Sequence, residues 1–232
     1  LLSGIGAGAF ALGAVRTGQT QISHSLGFPI AEPNGVPGDG FHIRHGFQTE
    51  NTWYNPGYWH TAEDWYRLDG AETAGAHILA IGAGEVVFAG SDYPGRVVIV
   101  QHRANLYSMY GHLDYETLAV GAGDRVVRGQ QIGQVLQRTD SVPSHLHFET
   151  RTFLLEDEVN GDAPRYGFAC GYRCAPGPGY WPIDAPELPA AMGWCNPTHV
   201  IGNRLLLDGP LVVQVARGAS GPAPLLETPW PL

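Results

Sequence analysis

Ten histidines are spread through the 232 residues, and four of them, with one aspartate, stand at spacings that chemistry can use. His145-Leu146-His147 lies in a β-type run, where alternation at period two turns both imidazoles to one face and Leu146 to the other. Two imidazoles side by side on a rigid strand can supply one metal ligand and one proton-transfer group. The alternative is a polar strand edge facing solvent. His60 and Asp64 stand four apart in HTAED, and a turn or short loop can converge them on one cation. With one histidine of the 145/147 pair they make a three-ligand set of two imidazoles and a carboxylate, which leaves a fourth position for water as catalytic zinc requires. His112 ends the strand-like run in YSMYGHLD; it can stabilise an oxyanion or shuttle a proton opposite His145, or serve only as a hydrogen-bonded strand end. Glu149 continues the 145/147 face and reads first as a strand-end carboxylate in water, second as a partner of a ligand histidine.

The elements that position these residues are short. HILAIGAGEVVFAG (77–90), RVVIVQH (96–102), NLYSMYGHL (105–113), DRVVRGQQIGQVL (124–136) and SHLHFETR (144–151) are rich in Val, Ile, Phe and Tyr and are bounded by Gly, Asp or Pro. No stretch keeps a 3.6-residue period, so the chain reads as an all-β core over 40–150. The 32 Gly and 18 Pro agree with a turn-rich chain and exclude a long-helix bundle.

Composition excludes further classes. The net charge is −9 and all 13 basic residues are Arg, so no basic stripe exists to neutralise phosphates and nucleic acid is not an expected partner. Without Lys, Schiff-base chemistry and lysine-borne biotin or lipoate are excluded. The chain opens LLSGIGAGAFALGAV before Arg16. This is shorter than the ~20 residues of a bilayer span and fits the apolar region of a secretory signal, with Ala9-Phe10-Ala11 as a small-x-small site. A Gly/Ala-rich leader or the end of a membrane anchor are the other readings. Export from the cytoplasm is the expectation.

WHTAEDW, HILAIGAGEVVFAG, RVVIVQH, LYSMYGHLD, VVRGQQIGQVL and SHLHFE follow one another in an order and spacing that resembles the lysostaphin-type (LytM-like) zinc endopeptidases of peptidoglycan, over residues 55–151 with a closing segment at CNPTHVI. The resemblance implies an antiparallel β-sheet core built on a duplicated hybrid motif, with a groove over a Zn2+ ion. It implies His60, Asp64 and His147 as metal ligands and His112 and His145 as catalytic histidines. The substrate implied is the peptide stem or cross-bridge of peptidoglycan; a catalytically silent relative that binds cell wall or activates an amidase is the alternative. Ala62 stands where the family usually has Gly, which matters only if that residue needs a positive φ.

The expected organisation is a signal or anchor remnant at 1–16, a loop-rich leader at 17–50, a zinc peptidase domain at 51–204 with an insertion at 152–195, and an extension at 205–232. Residues 1–50, which include His24, His42 and His45, are a candidate inhibitor of the groove. Six aromatics in 53–66 either line the groove or close the core. Cys170, Cys174 and Cys195 can form one disulfide with one thiol over, the expectation for an exported chain, or a second zinc site with His199.

Overall fold

In the computed structural model of the chain, the runs rich in β-branched and aromatic residues are strands. The structure describes residues 26–90, 95–155 and 179–202. In chain order the strands are β1 (Ile30–Ala31), β2 (Phe41–His45), β3 (Glu50–Asn51), β4 (Asn55–His60), β5 (Glu63–Arg67), β6 (His77–Leu79) and β7 (Gly84–Gly90). They continue with β8 (Arg96–Arg103), β9 (Leu106–Leu113), β10 (Arg125–Val126), β11 (Gln131–Gln134), β12 (Leu146–Arg151), β13 (Tyr180–Pro182) and β14 (Trp194–Cys195). One α-helix among the described residues, α1 (Pro197–Gly202), follows. No helix among the described residues is long and apolar enough to cross a membrane.

The central sheet has eight strands in the order β10-β7-β8-β9-β12-β5-β2, with β14 also pairing β12; β1-β6-β11 and β13-β4-β3 form two three-stranded sheets. The pairings are antiparallel, as the sequence predicts. Period-two alternation sorts the side chains. In β8, Val98 and Val100 enter the main core, whereas Val97 and Ile99 join a smaller cluster with Met109. In β12, Leu146 and Phe148 enter the main core with Trp65 and Tyr110. The opposite face of β12, carrying His147 and Glu149, is buried as well. Its cover comes from the segment after residue 178, where Trp181 and Trp194 pack with Phe153. A ring of that size, fully buried, contributes roughly 3 kcal/mol.

The described part of the expected leader at 17–50 contributes to the core and the sheets. Ile30 is fully buried and Phe41 joins the same main core, while β2 lies on β5 with Ile43 opposite Trp65. These residues pack with the same core as the strands after residue 51. The strands concerned are two and five residues long and separated by a Gly/Pro turn, too short for a period to show. His42 and His45 accordingly sit on a strand of the central sheet and not on a detachable arm. His24, residues 1–16, Cys170, Cys174 and residues 205–232 lie outside the described residues. Within 152–195, the described residues are integral: β13 pairs β4 and β14 pairs β12.

Candidate metal centre

Strand pairing creates the site. β12 lies on β5 in a register that sets His147 directly opposite Asp64, and on β9 with His147 opposite Gly111. His60 is the last residue of β4, and Thr61-Ala62 turns the chain from β4 into β5. That corner is pinned: the Gln48 N–H donates to the His60 carbonyl at 2.8 Å, and the Thr61 N–H to the Gly179 carbonyl at 3.1 Å. Ala62 is fully buried and is not among the described non-glycine residues with positive φ, so a methyl group fits where the family usually has Gly.

Three donor atoms meet there. His60 Nε2 lies 3.2 Å from His147 Nδ1 and 3.3 Å from Asp64 Oδ1, and the latter two atoms are 3.2 Å apart. Ligands about 2.0–2.1 Å from a tetrahedral zinc are separated by about 3.3–3.4 Å, so this triangle fits a zinc ion with a fourth position open. All three side chains are buried. Burial raises the Asp64 pKa, but His60, His145 and His147 outweigh it and hold the carboxyl well below its ordinary value. Burial opposes the charge on His147 too, yet its contacts with Asp64 and Glu149 push its pKa up to about 9.

His147 Nε2 lies 3.3 Å from Glu149 Oε1, which leaves Nδ1 for the metal. Glu149 is 1% exposed, which corrects its reading as a carboxylate in water. It accepts from the Thr61 hydroxyl at 2.7 Å, the Trp194 indole at 3.3 Å and the Arg151 guanidinium at 3.4 Å. Burial raises its pKa, and the bonds from His147 and Thr61 with the charge of Arg151 bring it below the usual value.

His145 stands just before β12. Its Nδ1 lies 2.8 Å from the Pro143 carbonyl, so Nδ1 carries the hydrogen and Nε2, 3.7 Å from Asp64 Oδ1, carries the lone pair. Burial lowers its pKa and favours this neutral form. The His112 ring stands edge-on to it at 4.6 Å. His112 has φ 64°, in the left-handed region that costs a non-glycine residue about 1–2 kcal/mol.

The structure thus gathers all five residues singled out by the sequence. Of three further neighbours, sequence reading had Tyr66 only as one of six aromatics in 53–66 and His45 only as part of the leader, and it missed Gly179. The His45 ring lies 4.4 Å from that of His60, and burial followed by the charge of His60 lowers its pKa to about 4. The Tyr66 ring stacks on His145 at 5.0 Å and 23°. Gly179 lies against His147. None carries a motif, because each reaches the site through pairing or through the distant segment after 178. Cys195 is a half-buried thiol whose pKa burial pushes up to about 11.

Residues 63–162 match peptidase family M23, a span that holds Asp64, His112, His145 and His147 and begins three residues after His60. The chain is 33% identical over 86 residues to an uncharacterized lipoprotein, YgeR, of Escherichia coli strain K12; the match covers 36% of this chain and 33% of that protein. It is similar to a zinc-containing peptidase of Vibrio cholerae (23% identity, TM-score 0.43, 55% of this chain and 37% of the other). It is also similar to the catalytic domain of a prophage-encoded M23 protein, EnpA, of Enterococcus faecalis (25%, 0.40, 63% and 94%). Lysostaphin of Staphylococcus simulans, an antimicrobial peptidase, gives 25%, 0.39, 49% and 43%. The chain thus spans about a third of the length of the E. coli and Vibrio proteins.

Proposed function

We propose that this chain, which belongs to peptidase family M23 through residues 63–162, is a zinc-dependent endopeptidase that hydrolyses peptide bonds of bacterial peptidoglycan. The reading rests on one observation: three buried donors spaced 3.2–3.3 Å apart, with the Nε2 lone pair of a neutral His145 beside them. His60, Asp64 and His147 hold the ion. Zinc, when bound, supplies Lewis acidity to the scissile carbonyl and to a water. His145 Nε2 takes the proton of the attacking water and returns it to the leaving amine. His112, edge-on to His145, donates to the oxygen on which charge develops. Glu149 fixes the ring of His147 through Nε2.

The substrate is a peptide stem or cross-bridge of the wall, and the place of action is outside the cytoplasm. The curated relative described as a lipoprotein supports that location. The catalytic domain includes the strands from β1 to β14. The test measures zinc per chain by elemental mass spectrometry, and peptide release from purified peptidoglycan, for wild type, Asp64→Ala and His145→Ala. One zinc in the wild type, lost in Asp64→Ala, with release abolished in both variants, is expected. A second zinc that survives Asp64→Ala assigns Cys170, Cys174, Cys195 and His199 to another site. A zinc-free wild type, or release that is unaffected by His145→Ala, overturns the proposal.

A further inference from the structure

The cleft above the three donors has a volume of ≈ 330 Å³, and its charged lining other than Asp64 consists of Arg44, Arg138 and Glu50. Two of these are committed elsewhere. Arg138 grips Asp140 with two bonds, Nε to Oδ1 at 2.9 Å and a terminal nitrogen to Oδ2 at 2.5 Å. Glu50 accepts the Gly57 N–H at 2.9 Å and braces the β3–β4 turn. Arg44, on β2, is exposed and has no carboxylate partner among the described residues. It is nonetheless held in place, because its Cζ lies 5.4 Å from the centroid of the Tyr66 ring. The same ring stacks on His145 and lies tilted 6.3 Å from the ring of His42. A guanidinium on an aromatic face keeps its in-plane N–H donors for a further partner, and their fork matches a carboxylate.

We infer that Arg44 binds a free carboxylate of the peptide substrate, on the side of the scissile amide next to His145, and so makes the protein prefer peptides carrying that carboxylate over their amides. The inference rests on the peptidase reading and deepens it. The charge arithmetic favours it: a chain of net charge −9 repels an acidic peptide at large, so attraction has to come from a local cation left uncommitted in the cleft. Tyr66 couples the two events, since the ring that orients the guanidinium also packs the face of His145.

The test uses the zinc-loaded full chain and two synthetic wall-type peptides, alike except that the residue next to the scissile bond carries a free α-carboxylate in one and a carboxamide in the other. Wild type is expected to favour the carboxylate in kcat/KM by roughly five- to tenfold, chiefly through KM, as for a partly exposed ion pair with good geometry. In Arg44→Gln the ratio is expected to fall to about one, and in Arg44→Lys to lie between the two values. A purely structural role for Arg44 changes both substrates alike and leaves the ratio untouched. Calorimetric binding of the same two peptides to His145→Ala reads the preference without catalysis. Equal treatment of the two peptides by wild type, or a preference that survives Arg44→Gln, overturns the inference and leaves the peptidase reading standing. Selective binding without hydrolysis by the wild type does the reverse.

Discussion

The hydroxyl of Thr61 donates to the carboxylate of Glu149 at 2.7 Å across 88 residues of chain. Thr61 lies inside the His60-to-Asp64 turn, and Glu149 lies two residues beyond His147 on the same face of β12. One buried carboxylate therefore ties the two ligand motifs to each other before any ion arrives, and it orients His147 at the same time.

Glu149→Gln keeps the shape of the side chain and removes its charge. Zinc affinity is expected to fall about 10- to 100-fold, measured by competition with a chromophoric chelator. Glu149→Ala additionally removes the carboxylate that faces the buried Arg151 guanidinium. Its cost is expected to reach about 3–5 kcal/mol in urea unfolding of the metal-free protein. Equal zinc affinity in wild type and Glu149→Gln rules out the orienting role.

Gly179 has φ +76°, and a Cβ built there comes within 2.8 Å of His147 Cε1 and 3.0 Å of its Nε2. Gly179→Ala therefore has to displace the ring, and zinc affinity is expected to fall at least tenfold. Gly123→Ala is the control: φ is +93° but nothing lies within 4 Å, so the loss is about 1–2 kcal/mol of stability with zinc binding unchanged.

The metal-free protein is expected to lose stability as pH rises through the alkaline range. His147 is raised from 6.5 to about 9, so the proton it holds in the fold stabilises fully below pH 6.5, and that contribution is lost as pH climbs to about 9. Zinc displaces the same proton, so its apparent affinity is expected to rise about tenfold per pH unit from about 7 to 9. Asp64 and Glu149 act at the other end. Both are lowered in the fold, so their contributions are present above ordinary values of 3.8 and 4.5 and disappear as pH falls below them. Urea midpoints at pH 4, 6.5 and 9, with and without zinc, check both limbs.

His112→Asn places in the left-handed region a residue that tolerates it, so stability is expected to stay within about 1 kcal/mol of wild type. Peptide hydrolysis is expected to drop about 10²- to 10⁴-fold, because the imidazole beside His145 is gone. Thermal midpoints and turnover numbers on the same preparation separate the two effects.

The face of β12 was legible in the sequence because a period of two needs only neighbouring residues: Leu146 and Phe148 went one way and His147 and Glu149 the other. The environment of Glu149 was not legible. What dries that face is Trp194, 45 residues downstream, and no local pattern announces it. Register was equally hidden. Asp64 opposite His147 is a property of two strands, and a shift of one residue would have sent His147 into the apolar core. β1 and β2 were read as leader because two- and five-residue strands among Gly and Pro carry too little pattern, although Ile30 and Phe41 are core residues.

Asp64 and His147 are 83 residues apart in the chain. An ion shared between them closes a loop of that length, as a disulfide would, and the entropy it removes from the unfolded chain corresponds to about 4–5 kcal/mol. Unlike a disulfide, this crosslink opens by simple dissociation, without a reductant. On the proposed reading, scarcity of zinc stops turnover and shortens the folded lifetime together, so a chain stripped of its ion is handed to whatever proteases surround it.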